Sequence, residues 1–173
     1  MKILRYILIL ALTVSIGSGV CVAQTKKEKK QAETKSIVEA KTYTFVADYM
    51  LPMHGGQRAL TTEYDLRFTP DSVVSFLPYF GEVHFDPPYN PNDAGIKFTS
   101  TKFDYSSKQK KNGGWEITFS PRDVRNLQRM VLTISTDGYA SLNVTSVNRD
   151  FISFDGHLEK NKLPKGPEVV SNP

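Results

Sequence analysis

The sequence predicts an all-β protein: an antiparallel meander of about nine short strands curled into an open barrel or sandwich, with one short helical turn and an N-terminal helix as an option. Three observations lead there. Apolar residues recur at every second position through most of the chain, the period of a strand with one buried face. Gly, Asn, Asp and Pro interrupt that pattern at intervals of about eight to twelve residues, the spacing of hairpins. With 39% hydrophobic residues in a chain of 173, there is enough apolar surface for one packed core.

The chain opens with a basic start, Met1 to Arg5, an apolar run from Tyr6 to Val14, and a small, neutral stretch from Ser15 to Ala23. These are the three regions of a secretory signal peptide, and Cys21-Val22-Ala23 fits a small-x-small cleavage site. Residues 1–23 are therefore expected to be removed. The alternative is a lipid anchor at Cys21, the single cysteine, although Val20 stands where a lipobox wants a small residue. Cleavage after Ala23 leaves no cysteine, hence no disulfide and no thiol chemistry. Residues 24–40 are rich in Lys, Glu, Gln and Ala and are expected to be a charged spacer, disordered or loosely helical. Residues 41–160 form the single β-rich domain, and 161–173, punctuated by Pro and Gly, a C-terminal tail.

Within the domain, Tyr43, Phe45, Ala47 and Tyr49 alternate with Thr42, Thr44, Val46 and Asp48, then Pro52 to Gly56 turn the chain. Tyr64, Leu66 and Phe68 form the next strand, and Thr69-Pro70-Asp71 the next turn. Ser75-Phe76-Leu77-Pro78-Tyr79-Phe80-Gly81 ends the third. Pro78 cannot donate to a strand ladder, so pairing must lapse there. Phe76, Leu77 and Phe80 are expected in the core, with Tyr79 partly exposed. Ile96 and Phe98, then Phe103 and Tyr105, read as one long strand or two. Asn112-Gly113 and Asp137-Gly138 mark hairpins with primed turns. Between them, Ser120-Pro121-Arg122-Asp123 to Gln128 reads as a short helical turn with Ser120 as N-cap. Phe151 to Leu158 is the last strand.

Composition narrows the function. Lys2 and Arg5 lie in the leader, which leaves 20 basic against 18 acidic residues, too little excess for nucleic acid. His54, His84 and His157 stand far apart without a metal-ligand spacing. No nucleophile elbow or phosphate loop is present. Glu63 and Asp65 share a strand face but read as solvated surface. No catalytic residue, metal site or cofactor is expected. Asn143-Val144-Thr145 matches a glycosylation sequon, and Asp71-Ser72-Val73 a bacterial O-glycosylation pattern; a strand and a turn account for both without modification.

Leu77-Pro78-Tyr79-Phe80-Gly81, Trp115-Glu116-Ile117, Ile134-Ser135 with Gly138 and Ala140, and Asn148-Arg149 with Ile152, Ser153 and Gly156 resemble the secreted bacterial family called domain of unknown function 4251, from about Phe45 to Leu158. The resemblance implies a Bacteroidetes-type envelope protein and implies no reaction. The expectation is an exported, non-catalytic binding module in the periplasm or cell envelope, with an envelope ligand or protein as partner. It would touch the membrane only through a lipid at Cys21. An envelope hydrolase with spatially assembled carboxylates, and a structural envelope component, remain as alternatives. The candidate ligand or partner surface is Tyr79, Phe85, Tyr89, His54 and Arg149, since loop aromatics and a turn arginine are the residues that could stack on or hold a ligand.

Overall fold

The computed structural model describes residues 18–85 and 95–161 of the chain, with side chains from residue 26 onward. Tyr89, its proline-rich neighbours, the leader before Ser18 and the tail beyond Asn161 lie outside the described residues. One helix, α1 (Ser18–Glu39), precedes nine strands. They are β1 (Tyr43–Pro52), β2 (Arg58–Phe68), β3 (Val73–Leu77), β4 (Ile96–Ser100) and β5 (Phe103–Gln109), then β6 (Trp115–Pro121), β7 (Leu127–Ile134), β8 (Tyr139–Ser146) and β9 (Ile152–Lys160).

The strands form one antiparallel sheet in the order β4-β3-β2-β1-β9-β8-β7-β6-β5. Every neighbour in it is consecutive in sequence except the first and last strands, which pair along their length from Tyr43↔Lys160 to Pro52↔Ile152. The sheet's outermost strands, β4 and β5, are separated by Thr101 and Lys102 alone. They run in the same direction, β4 bonded to β3 and β5 to β6. One kinked strand thus changes partners midway and nearly closes the sheet into a barrel, which leaves few exposed edges. Asp123 holds the kink: its carboxylate accepts from the Ser100 hydroxyl and from the Thr101 and Lys102 amides. Those bonds hold its carboxyl below the usual carboxylate range.

The period-two pattern fills the interior. Phe45, Leu66, Ile117, Leu142 and Phe154 are fully enclosed. Phe119 of β6 meets Phe68 of β2 edge-on at 5.8 Å and lies parallel to Phe98 of β4 at 6.2 Å, so the curled sheet brings distant strands together across its core. A bulge at Asp48 shifts β1 by one residue, turning Tyr49 outward and Met50 inward. Gly156 lies opposite: a Cβ there would stand 1.9 Å from the Val46 carbonyl oxygen.

Several local expectations are corrected. Phe76 and Phe80 are not core residues: they are 42% and 45% exposed, whereas Leu77 is fully buried. Phe76 points outward on β3, flanked by Asp65 and Lys97 in register and stacked on Tyr64 at 5.5 Å. Phe80 lies beyond the strand's end. The helical turn at Ser120 to Gln128 is absent: Ser120 and Pro121 finish β6 and Leu127 begins β7. The ladder from Phe103↔Pro121 outcompetes the cap chemistry. Both predicted glycine hairpins form, but with positive φ at Gly113 and Gly138 only. The Gly138 amide bonds the Ser135 carbonyl and the Ser135 amide the Tyr139 carbonyl, the pattern of a type I turn closed by a left-handed glycine in place of a primed turn.

The segment expected as a charged spacer is helical to Glu39. Thr34, Ile37 and Val38 are buried, and the Gln31 amide donates to the Thr136 hydroxyl and Asp137 carboxylate of the β7–β8 turn. The helix ends in a Schellman motif: the Thr42 amide bonds the Ile37 carbonyl and the Lys41 amide the Val38 carbonyl. Lys41 takes the left-handed conformation, φ 51°, with its ammonium 4.7 Å from the Tyr105 ring centre. Helix α1 therefore covers the barrel end at which β1 starts and β9 finishes. Among the described residues no helix is long and apolar enough to cross a membrane.

Candidate functional site

The opposite barrel end is built from three loops: the β1–β2 turn with His54, the segment from Pro78 to Phe85 after β3, and the β8–β9 loop from Val147 to Phe151. Pairing lapses after Leu77, as Pro78 requires. The segment is then laced to the β8–β9 loop. Val83 bridges Arg149, the His84 amide donates to the Asn148 carbonyl at 2.8 Å, and the Asp150 amide to the Glu82 carbonyl at 3.2 Å. Asn148, a buried polar residue, donates through Nδ2 to the Phe85 carbonyl at 3.0 Å. Asp150 accepts from the Glu82 amide through Oδ2 at 3.0 Å and holds His84 Nε2 with Oδ1 at 3.1 Å. Backbone groups that would otherwise meet water are thus paired between two loops, which makes this end a fixed surface.

The Tyr79 hydroxyl donates to the Glu82 carbonyl at 2.8 Å. Burial, and then the nearby Asp150 charge, push its pKa above the ordinary phenol value, so it remains a donor at neutral pH. Arg149 lies 5.0 Å from the Tyr79 ring centre and Arg58 3.7 Å from that of Phe80, contacts that fix both rings from one side. His54, Tyr79, Phe80, Glu82 and Asp150 line an open depression of about 500 Å³. A smaller cleft of about 120 Å³ opens between β4 and the β6–β7 loop, lined by Phe98, Arg125 and Leu127 with Arg149 at its rim. Arg149 therefore stands between the two.

Around this end Met53, Phe80, Phe85, Val147 and Phe151 are all exposed. Of the residues singled out in the sequence, His54, Tyr79, Phe85 and Arg149 come from three separate loops to one barrel end, and Tyr89 lies outside the described residues. His54 and Tyr79 share the depression; Phe85 stands beside it through the Asn148 bond. Sequence reasoning missed Phe80, which it assigned to the core, and Val147 and Phe151. For Val147 and Phe151 the available signal was position, two large apolar residues flanking a polar turn, Asn148-Arg149-Asp150; Phe151, expected to open the last strand, stands just before it, since β9 begins at Ile152.

His157 belongs elsewhere, on the outer sheet face, with Nδ1 2.9 Å from Asp48 and Nε2 3.4 Å from Glu159. Glu63 is exposed and Asp65 pairs with Arg67 at 3.1 Å. Among the described residues no three His, Cys, Asp or Glu side chains converge as metal ligands.

The family model described as domain of unknown function 4251 matches residues 25–158, so it takes in helix α1 as well as the barrel. No curated protein matches the chain. A similar solved structure is the crystal structure of a protein of that family from Bacteroides eggerthii, 15% identical over 76% of this chain and 87% of that chain, with a TM-score of 0.54. At that identity the likeness shows the fold.

Proposed function

This chain belongs to the domain of unknown function 4251 family, and from that premise we propose that it is an exported, non-catalytic binding module of the cell envelope. Its partner surface is the barrel end ringed by His54, Tyr79, Phe80, Phe85 and Phe151. The observation that carries this reading is the exposure of five large apolar side chains on loops pinned to one another at that end. Clustered exposed apolar residues with a polar rim mark interaction sites, and loops on a rigid scaffold are where such sites form. The expected partner is a peptide segment with apolar side chains from another envelope protein. The hydrolase alternative is less well supported, because both Asp150 oxygens are committed to the Glu82 amide and His84.

Two measurements test the proposal. N-terminal sequencing of the exported protein should begin at Gln24; a diacylglycerol-bearing Cys21 would replace cleavage by lipid anchoring. Fluorescently labelled Phe/Leu-rich peptides should bind the purified domain saturably. Phe80→Ser with Phe151→Ser should weaken that binding at least about tenfold, roughly 1.4 kcal/mol, while the domain stays folded, its melting temperature lowered by no more than the few degrees that the lost Arg58 contact accounts for. Absence of binding, or binding indifferent to both substitutions, overturns the assigned surface.

A further inference from the structure

A second built surface lies far from that end, on the outer face where β1, β9, β8 and β7 run side by side. The bulge at Asp48 turns Tyr49 outward opposite Asp155; Asp155 faces Ser141 on β8, and Ser141 faces Thr133 on β7. Tyr139, 71% exposed, stands two residues along β8 from Ser141 on the same side. Tyr49, Tyr139, Asp48, Asp155, Ser141 and Thr133 border an open groove of about 420 Å³ that also reaches the backbone of Ala140 and Gly156, whose own places on the strands face the core. The two rings are two strands across and two residues along from each other, about 12 Å by standard sheet spacing, which leaves room for more than one sugar ring. Aromatic walls, and hydroxyls beside carboxylates, are what a polyhydroxylated ring needs: a π-face for its C–H side and acceptors and donors for its hydroxyls.

The groove does not end at Tyr139. That ring also borders a neighbouring hollow of about 560 Å³, lined by Lys26, Lys27 and Lys30 of α1 with Asp137, Gly138 and His157. The Lys residues are exposed, and among the described residues none of the three is in an ion pair. The facing Asp137 accepts from Gln31 at 3.2 Å, and His157 reaches back to Asp48 of the first groove at 2.9 Å. Three ammonium groups thus gather beside one engaged carboxylate, next to the tyrosine that walls the polar groove.

We propose that this continuous surface, from Tyr49 past Tyr139 to Lys26, Lys27 and Lys30, binds an acidic oligosaccharide. Sugar rings pack on the tyrosines, their hydroxyls meet Asp48, Asp155, Ser141 and Thr133, and a carboxylate, sulfate or phosphate substituent meets the lysines. The site is separate from the barrel-end surface and stands or falls independently of it.

The test is calorimetric titration of the purified full-length mature chain with tetragalacturonate, a heparin tetrasaccharide and, as the uncharged control, maltotetraose. At least one acidic probe should bind, more tightly than maltotetraose, with affinity that falls as salt rises. Tyr139→Ala should weaken it at least about tenfold, the scale of one lost stacking contact. Lys26→Gln with Lys27→Gln and Lys30→Gln should bring the acidic probe down to the level of maltotetraose and remove the salt dependence. All these positions are exposed, so thermal melts should match the parent. If neither acidic probe binds, the proposal is wrong. If inorganic phosphate competes fully and Tyr139→Ala changes nothing, the lysines are a plain anion site. Tighter binding of ATP than of either saccharide would assign the surface to a nucleotide.

Discussion

Leu77 and Phe80 are three residues apart, and removing each side chain should have consequences of very different size. Leu77 is fully enclosed, so Leu77→Ala should cost about 2–5 kcal/mol in a urea melt. Phe80 stands in solvent with Arg58 stacked on it. Phe80→Ala should forfeit about 0.5–1 kcal/mol, the scale of an exposed cation–π contact. At Gly156 the constraint is steric. A methyl group would meet the Val46 carbonyl oxygen at 1.9 Å and the Ala47 Cα at 3.1 Å, and both are backbone, which no rotamer change can move. Gly156→Ala should therefore destabilise by about 3 kcal/mol or more, read as loss of the folded circular-dichroism signal or a sharply lower midpoint. Read for hydrophobicity, the sequence places Phe76, Leu77 and Phe80 alike in the core, and only Leu77 is there, because alternation along β3 turns Val73, Ser75 and Leu77 inward and Phe76 outward. Phe80 was not legible: beyond Pro78 the chain has no period, and hydrophobicity alone does not distinguish a core ring from one held over a loop by an arginine.

Individual elements show the same division. The strands were legible wherever the period of two persisted. Helix α1 was not recognised as packed, because among its described side chains the buried ones are Thr34, Ile37 and Val38, all near its end, and its left-handed cap is Lys41, not Gly. Ile37→Ala should cost about 2–5 kcal/mol by chemical denaturation, although the residue lies in a stretch that composition alone reads as linker. At the β4–β5 kink, Asp123→Asn should raise hydrogen exchange at the Thr101 and Lys102 amides and lower the melting temperature. Because the Asp123 carboxyl is held below its unfolded value, its contribution is present above about pH 4 and is lost as pH falls through the folded value. The parent should therefore lose more stability on acidification than Asp123→Asn does. The partner switch had no sequence signal beyond the ambiguity between one long strand and two, since alternation records which face is buried and not which strand lies alongside.

For the whole molecule, the phenols set the alkaline limit. Tyr43 is raised well above the ordinary phenol value by burial and then by Tyr105, and Tyr79 and Tyr105 are raised chiefly by burial. A group with a higher pKa folded than unfolded stabilises fully below its unfolded value, about 10, and that contribution is lost as pH rises through the folded one. Urea midpoints should hold steady to about pH 9 and fall above about pH 10. Tyr43→Phe should flatten the decline, and a midpoint that stays level near pH 11 would contradict this. An all-β antiparallel architecture was readable from strand count and turn spacing. Closure by β1 against β9 was not, because pairing across some 110 residues of chain leaves no local mark.

That closing pair also determines how the molecule would respond to force. Tyr43 faces Lys160, so the chain enters and leaves the barrel side by side at the helix-covered end. Tension applied between those two points would load the β1–β9 ladder one rung at a time, beginning at Tyr43 and Lys160, and peel the strands apart like a zip. Tension between Pro52 and Lys160, at opposite ends of the same pair, would load every rung together in shear. The barrel is therefore mechanically weak along the line of its own termini and strong across it. A tether on its N-terminal side would hold it by the helix-covered end, with the loops carrying Tyr79 and Phe80 pointing away from the anchor.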